Sequence, residues 1–307
     1  MSAIQKQPNI TQRKNMSMPE PTICFVIPYF GKWPFWFPFF LESCRVNPTI
    51  QWVFHTDCGM PEAVPDNVKF IETTFENYCD RVSNALEIDF KPDSTYKLCD
   101  IKPTIGLIHQ DELAGYDFWA YGDIDLVYGD IRRYFSTSRL SKADIFSTHS
   151  RRIAGHLCLI RNTEKMRNAF KSAPNWKALL ADRKHVTFDE SAFSRLFVRH
   201  KNWPAWLARM AKPFNQWTKV AEHIEAFSTP NAGLPWTDGS RTFPTVWYWN
   251  KGNLTNDKDG AREFPYFHFM AWKNKDWRAK PPAGEQDAAS IAATGHWQIS
   301  ADGFRKS

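Results

Sequence analysis

An α/β fold built on a mostly parallel sheet is what this sequence predicts, and three features predict it. Its clearest strand candidates, Thr22 to Pro28 and Phe118 to Gly122, are continuous apolar runs, the pattern of strands covered on both faces. They alternate with segments of helical spacing, as the crossovers of a parallel sheet require. The clearest run, Phe118-Trp119-Ala120-Tyr121-Gly122, ends abruptly on two carboxylates, Asp123 and Asp125. Open α/β sheets bind their ligands just beyond such strand ends.

Taken in order, residues 1–20 are rich in Gln, Asn, Ser and Lys and read as a flexible tail. Thr22 to Pro28 is the first strand and closes on Tyr29-Phe30-Gly31-Lys32. Pro34 to Arg45 holds the first helix, with Pro34 near its first turn, where a missing N–H costs nothing. Gln51 to Thr56 and Asn67 to Glu72 are the second and third strands. Phe75, Tyr78, Val82, Ala85 and Leu86 share one face of a helix over Phe75 to Ile88. Another helix begins within Tyr96 to Pro103, just ahead of the Asp-ended strand. Asp144 to Ser147 and His156 to Ile160 add strands, and Glu164 to Lys171 and Glu190 to Val198 add helices. Between 227 and 260, Pro, Gly, Asn and Asp predict loops or hairpins. The expected architecture is a single Rossmann-like sheet over residues 21–280, with helices on both faces and a loop-rich C-terminal extension. Residues 281–307, headed by Pro281-Pro282-Ala283-Gly284, read as a weakly structured tail.

Composition narrows the function classes. A chain of 307 residues can bury a large core. Aromatic residues make up 15%, including 14 Trp, which excludes a disordered chain and supplies rings for a binding surface. The net charge of +6 favours anionic ligands, but no Lys/Arg block of the nucleic-acid-binding kind is present. The six cysteines include no C-x-x-C pair, so neither a zinc site nor a disulfide framework is expected. Neither a signal peptide nor a membrane-spanning run is seen, which predicts a cytoplasmic protein with reduced thiols. One segment, 201–219, carries Trp203, Trp206 and Trp217 with Lys201, Arg209, Lys212 and Lys219 and no acid. Such chemistry suits peripheral contact with the inner face of a membrane.

The chemistry centres on Asp123-Ile124-Asp125. Alternate residues of an extended chain share a face, so both carboxylates can address one site. Hard oxygen donors suit Mg²⁺ or Mn²⁺ bound to phosphates. Tyr29 at the first strand's exit offers a ring for a base, and Asp57 at the second strand's exit an acceptor for a ribose or base edge. Lys97 and Lys102 are placed to meet phosphate, and Asp100 to brace one of them or a sugar hydroxyl. Gly155 and His156 can border a polar ligand. Asp189 and Glu190, at a helix start, serve either as N-terminal caps or as a general base or hydroxyl anchor. Far downstream, His268 is a competent third ligand for Mn²⁺, with Lys273 within reach of a diphosphate.

These residues, in this order, resemble a glycosyltransferase of the GT-A fold with its Asp-x-Asp motif. The resemblance is to bacterial polysaccharide and lipopolysaccharide glycosyltransferases, with an echo of the glycogenin-like group. It spans roughly residues 22–275. It implies a metal-dependent hexosyltransferase moving sugar from a nucleotide-sugar, with a UDP-sugar the expected donor. The acceptor would be a glycan or lipid-linked molecule in surface polysaccharide synthesis. Position by position, it implies Asp123 on the ribose or donor sugar and beside the ion, Asp125 and His268 on the ion, and Lys273 on the diphosphate. Tyr29 and Asp57 would flank the base, with Lys102 on the donor side and Gly155 and His156 bordering the donor sugar. Asp189 or Glu190 would face the acceptor. The segment from His268 to Trp277 lacks the glycine and the Lys-Pro-Trp ending of the glycogenin-like group, so retaining and inverting courses both stay open. A nucleotidyltransferase or phosphohydrolase, and a non-catalytic carbohydrate-binding protein, are the rival readings.

Overall fold

The computed structural model describes residues 19–198, 203–230 and 234–307. Nearly all of the tail expected at 1–20 lies outside the described residues, as does Lys201. Seven strands form the central sheet in the order β3-β2-β1-β4-β7-β6-β8. They are β1 (Ile23–Pro28), β2 (Ile50–Thr56), β3 (Val68–Glu72), β4 (Phe118–Gly122), β6 (Ile145–Ser147), β7 (Leu157–Arg161) and β8 (Ala221–His223). The pairs β1–β2, β2–β3, β1–β4 and β6–β8 are parallel. β7 is reversed against both β4 and β6. This mostly parallel sheet with helices on both faces is the architecture that the GT-A resemblance implies.

The apolar runs have a simple cause. Ile23, Phe25 and Ile27 point to one face and pack with helix α1 (Phe37–Arg45), whose rings Phe37 and Phe40 face them. Cys24 and Val26 point to the other, where helix α2 (Phe75–Leu86) supplies Tyr78, Val82 and Leu86. Side chains alternate across a strand, so a strand covered twice must be apolar throughout. Helix α2 begins on Thr74, whose side chain caps the Asn77 N–H, and ends at Glu87 in the left-handed region.

Immediately after β4 the chain turns through Asp123-Ile124-Asp125 into β5 (Leu126–Tyr128). β5 leaves the sheet and pairs antiparallel with β11 (Tyr266–His268), in a register that sets His268 opposite Leu126. This two-stranded ribbon joins residues well over a hundred positions apart, and it fixes the site.

Two expectations are corrected. The stretch 281–307 is not weakly structured. It contains a helix at Ala288–Ala293 and a hairpin of β12 (His296–Ser300) and β13 (Gly303–Lys306). That hairpin joins β9 (Val246–Asn250) and β10 (Asn253–Asn256) in a second sheet of order β10-β9-β12-β13. The reason is burial. Trp249 and Trp297 stack at 4.5 Å across this sheet, and Phe39 of α1 stacks on Phe304 at 4.0 Å. Each such ring pair adds about 0.5–1.5 kcal/mol beyond its buried area. The helix expected at Glu190–Val198 also differs, opening as a single π turn over Asp189–Phe193 before the short helix Ser194–Phe197. π turns are rare, and they occur often at functional sites.

Candidate active site

Asp125 is buried at the mouth of the β5–β11 ribbon. The Phe269 N–H donates to its carbonyl oxygen at 3.2 Å, and the His268 Nε2 stands 3.3 Å from its Oδ1. Lys273 Nζ lies 2.5 Å from Oδ2. Burial pushes the Asp125 carboxyl up, but His268 and Lys273 outweigh this and hold it well below the usual carboxylate range. Asp123 is more open. Its N–H donates to the His156 carbonyl at 3.0 Å, and its carboxylate pairs with Lys102. Lys102 also donates to the Gly155 carbonyl at 2.9 Å. Burial lowers the Lys102 pKa, but Asp123 raises it further, so the ammonium stays charged. The turn itself is braced by Trp36, whose indole N–H donates to the Ile124 carbonyl at 3.1 Å.

The donor set fits a divalent ion. One ligand atom each from Asp123, Asp125 and His268 lies within 4.8 Å of the others. His268 is 4% exposed, and among the described residues the Asp125 carboxylate is the polar group its ring nitrogen Nε2 faces, while Nδ1 has no hydrogen-bond partner. A buried imidazole aimed at two carboxylates is matched to a cation that takes nitrogen and oxygen donors. Its ring stacks on His156 at 4.6 Å, and His156 in turn hydrogen-bonds the Tyr266 hydroxyl at 2.7 Å, which fixes both rings. Burial first, then the neighbouring His268 and Lys102, keep His156 neutral, its pKa well below the ordinary histidine value.

Two cavities meet at this cluster. The larger, about 770 Å³, opens beyond the ends of β1 and β4 and is lined by Tyr29, Trp36, Lys102, Asp123, Asp125 and Lys273, among others. The smaller, about 200 Å³, is lined by Asp189, Glu190, Arg152, Gly155, His156 and His268, among others. Tyr96, Cys99, Lys102, Asp123 and Met270 form their common wall. Tyr29 lines the larger cavity and is backed by Trp33, its ring stacked at 5.3 Å and nearly parallel.

The smaller cavity contains two unlike carboxylates. Glu190 is half-exposed and engaged. Its Oε2 accepts from Arg152 at 3.0 Å and its Oε1 from the Gly155 N–H at 3.3 Å. Asp189 is 4% exposed, and burial pushes its carboxyl up to about 7. Gly155 leaves room for both carboxylates. A Cβ at that position would stand 2.6 Å from Asp189 Oδ2 and 3.1 Å from Glu190 Oε1.

Three expected site residues take other places. Lys97 is fully buried, pairs with Asp100 at 2.9 Å, donates to the Leu179 carbonyl, and reaches neither cavity. Asp100, also fully buried, accepts from the Val186 N–H at 2.8 Å and the Phe188 N–H at 2.7 Å. It therefore clamps the chain on both sides of Thr187, a β-branched residue held at a φ of 53°. The pair positions the turn that carries Asp189 and does not meet phosphate or sugar. Unscreened buried charges need such partners, which explains why two ionisable groups sit in the core. Asp57 braces the first strand's exit, accepting from the Gly31 N–H at 2.7 Å, and stands outside the lining of the larger cavity.

Among the described residues one further group of potential ligands exists, His55, His109 and Glu112. Glu112 accepts from His55 at 2.8 Å and from His109 at 3.2 Å, and pairs with Arg81, so its charge is already matched. Arg152, Tyr96, Met270 and Trp36 are site residues that sequence reasoning missed. They come from separate loops or the start of a helix, and no local pattern links them.

A family model described as a family of unknown function (DUF6625) matches residues 25–296. No curated protein matches the chain. Among solved structures, the chain is similar to apo mouse xyloside xylosyltransferase 1, with a TM-score of 0.37 and 12% identity over 66% of this chain and 96% of that one. It is similar to the galactosyltransferase LgtC, solved with donor and acceptor sugar analogues, with a TM-score of 0.44 and 11% identity over 88% and 95%. The glycosyltransferase GlyE of Streptococcus pneumoniae TIGR4 gives a TM-score of 0.34 and 12% identity over 70% and 57%. At these values the likeness is one of general chain course, and the chemistry is read from the side chains above.

Proposed function

The chain belongs to DUF6625, a family of unknown function, and from its site we propose that it is a metal-dependent glycosyltransferase using a nucleotide-sugar donor. The observation that carries this reading is the meeting of two cavities of unequal size at one cluster of Asp123, Asp125 and His268. A transferase needs such a plan, with a donor on one side, an acceptor on the other and the reacting bond between them.

Asp123, Asp125 and His268 would hold Mn²⁺ or Mg²⁺, which when bound supplies positive charge to a leaving diphosphate. The remaining work falls to the chain's own groups. Tyr29, backed by Trp33, provides a ring for the base, a UDP-sugar being the donor of choice. Lys273 lies on the wall of the larger cavity and is only partly buried, so it can exchange Asp125 for a diphosphate oxygen. Lys102, held between Asp123 and the Gly155 carbonyl, orients Asp123 toward the donor sugar. His156, neutral and locked by Tyr266, keeps the His268 ring in place. Asp189 faces the smaller cavity, where a glycan or lipid-linked acceptor would bind, and with a carboxyl near 7 it is poised to take a hydroxyl proton at neutral pH. Glu190, tied to Arg152, shapes the wall instead.

The test is a thermal-shift panel of nucleoside diphosphates and nucleotide-sugars, each with and without Mn²⁺. A ligand that binds only the folded chain raises the melting temperature. Stabilisation by a nucleoside diphosphate and its sugar conjugate, dependent on Mn²⁺, is expected. Release of free sugar phosphate from the conjugate would favour a phosphohydrolase or nucleotidyltransferase. Stabilisation by sugar alone, indifferent to metal and nucleotide, would favour a carbohydrate-binding protein.

A further inference from the structure

The basic, Trp-rich segment that follows the Asp189 turn remains unused by this chemistry. Its helix Ala205–Ala211 runs into a tight turn at Lys212–Phe214. Trp206, Met210 and Phe214 recur every fourth residue and are 62%, 64% and 91% exposed. Large apolar side chains grouped this openly are unusual on a soluble surface. The exposure is selective. Trp217, a few residues on, is buried against Phe197 at 5.8 Å with Lys165 over its ring. One ring thus anchors the segment while three side chains stand clear of the fold. Arg209, Lys212 and Lys219 are exposed beside them, and no Asp or Glu occurs from 203 to 220.

This segment is also tied, through the strand that follows it, to the wall of the smaller cavity. β8 follows the segment directly. In β8, His223 Nδ1 is 3.3 Å from the carbonyl of Arg152, a residue of the cavity wall.

We propose that Trp206, Met210 and Phe214, with Arg209, Lys212 and Lys219, form a docking face for an anionic lipid bilayer. The rings enter the boundary between headgroups and acyl chains while the cations meet lipid phosphates. Charge complementarity selects this occupant over a second copy of the chain, because face-to-face pairing would oppose two sets of like charges. No described helix is long and apolar enough to cross a membrane, so the contact is peripheral. Docking would turn the smaller cavity toward a lipid-linked acceptor, and this last step alone rests on the glycosyl-transfer reading.

The test is co-sedimentation of the full chain with vesicles of phosphatidylcholine, alone or mixed with phosphatidylglycerol, with neither metal nor nucleotide present. The wild type should partition into the anionic vesicles at least about tenfold better than into neutral ones, and less well as salt screens the cations. The double variant Trp206→Ser, Phe214→Ser should lose about tenfold in partition with an unchanged melting temperature. Charge reversal by Arg209→Glu and Lys212→Glu, also on exposed side chains, should do the same and keeps the test decisive if the ring variant misfolds. Equal sedimentation of wild type and both variants would overturn the proposal, as would no binding to anionic vesicles. So would a dimer seen by light scattering that the ring variant dissolves.

Discussion

Replacing Asp125 with alanine is expected to abolish donor turnover, by about 10³-fold or more, while the chain stays folded. The size of the effect follows from what the carboxylate holds together. It faces His268 and Lys273 at once, and it shares with Asp123 the place where a cation would sit. Loss of the carboxylate removes an ion ligand and frees Lys273 from its position. Folding should survive because Lys273 is partly exposed and can turn to water, and because His268 is held by its N–H to the Ser228 carbonyl at 3.0 Å. Steady-state release of nucleoside diphosphate, measured beside a melting curve, separates the two outcomes. Full turnover in Asp125→Ala would remove the ion from the scheme. Lost turnover with a collapsed melting transition would make Asp125 a structural residue.

The second large effect is expected at Asp189. Asp189→Asn keeps the shape of the side chain but cannot take a proton, and general-base help is typically worth about 10²–10⁴-fold. The pH dependence gives the role a signature. Burial pushes the carboxyl up to about 7, so the basic form is scarce at pH 5 and dominant above pH 8. Below about 7, kcat/KM should therefore rise roughly tenfold per pH unit and then level off. In Asp189→Asn that rising limb should vanish along with most of the rate. A limb that persists unchanged in the variant would assign the titration to another group. The linked effect on stability has the opposite sense. A carboxyl whose folded pKa lies above its unfolded value favours the fold while protonated, and that contribution is lost as pH rises from about 4 toward 7.

The parts of this molecule that were legible in its sequence share one property, which is that their cause is local. β1 and β4 read as apolar runs because both faces of the sheet are covered there, and α2 reads as a helix because its buried residues repeat at 3.6. Asp123 and Asp125 stand out because two carboxylates interrupt apolar chain. What sequence could not give has distant causes. The hairpin β12–β13 is stable only because Trp297 and Phe304 find Trp249 and Phe39. Lys97 and Asp100 look like ordinary surface charges at their spacing, and only the fold reveals that they are buried and clamp the Asp189 turn. Asp57 fails for a similar reason, since a carboxylate at a strand end can serve the backbone of the neighbouring turn as readily as a ligand. His268 could be suspected from its residue type, but its convergence with Asp125 depends on the β5–β11 register.

Calorimetry reads that convergence through the ion. A nucleoside diphosphate is titrated into the wild type and into His268→Ala, in the presence of Mn²⁺ and in its absence. Tight binding to the wild type is expected only with Mn²⁺, and it should weaken about 10–100-fold in His268→Ala. Equal affinity with and without the ion, or an unchanged Mn²⁺ dependence in His268→Ala, would contradict it.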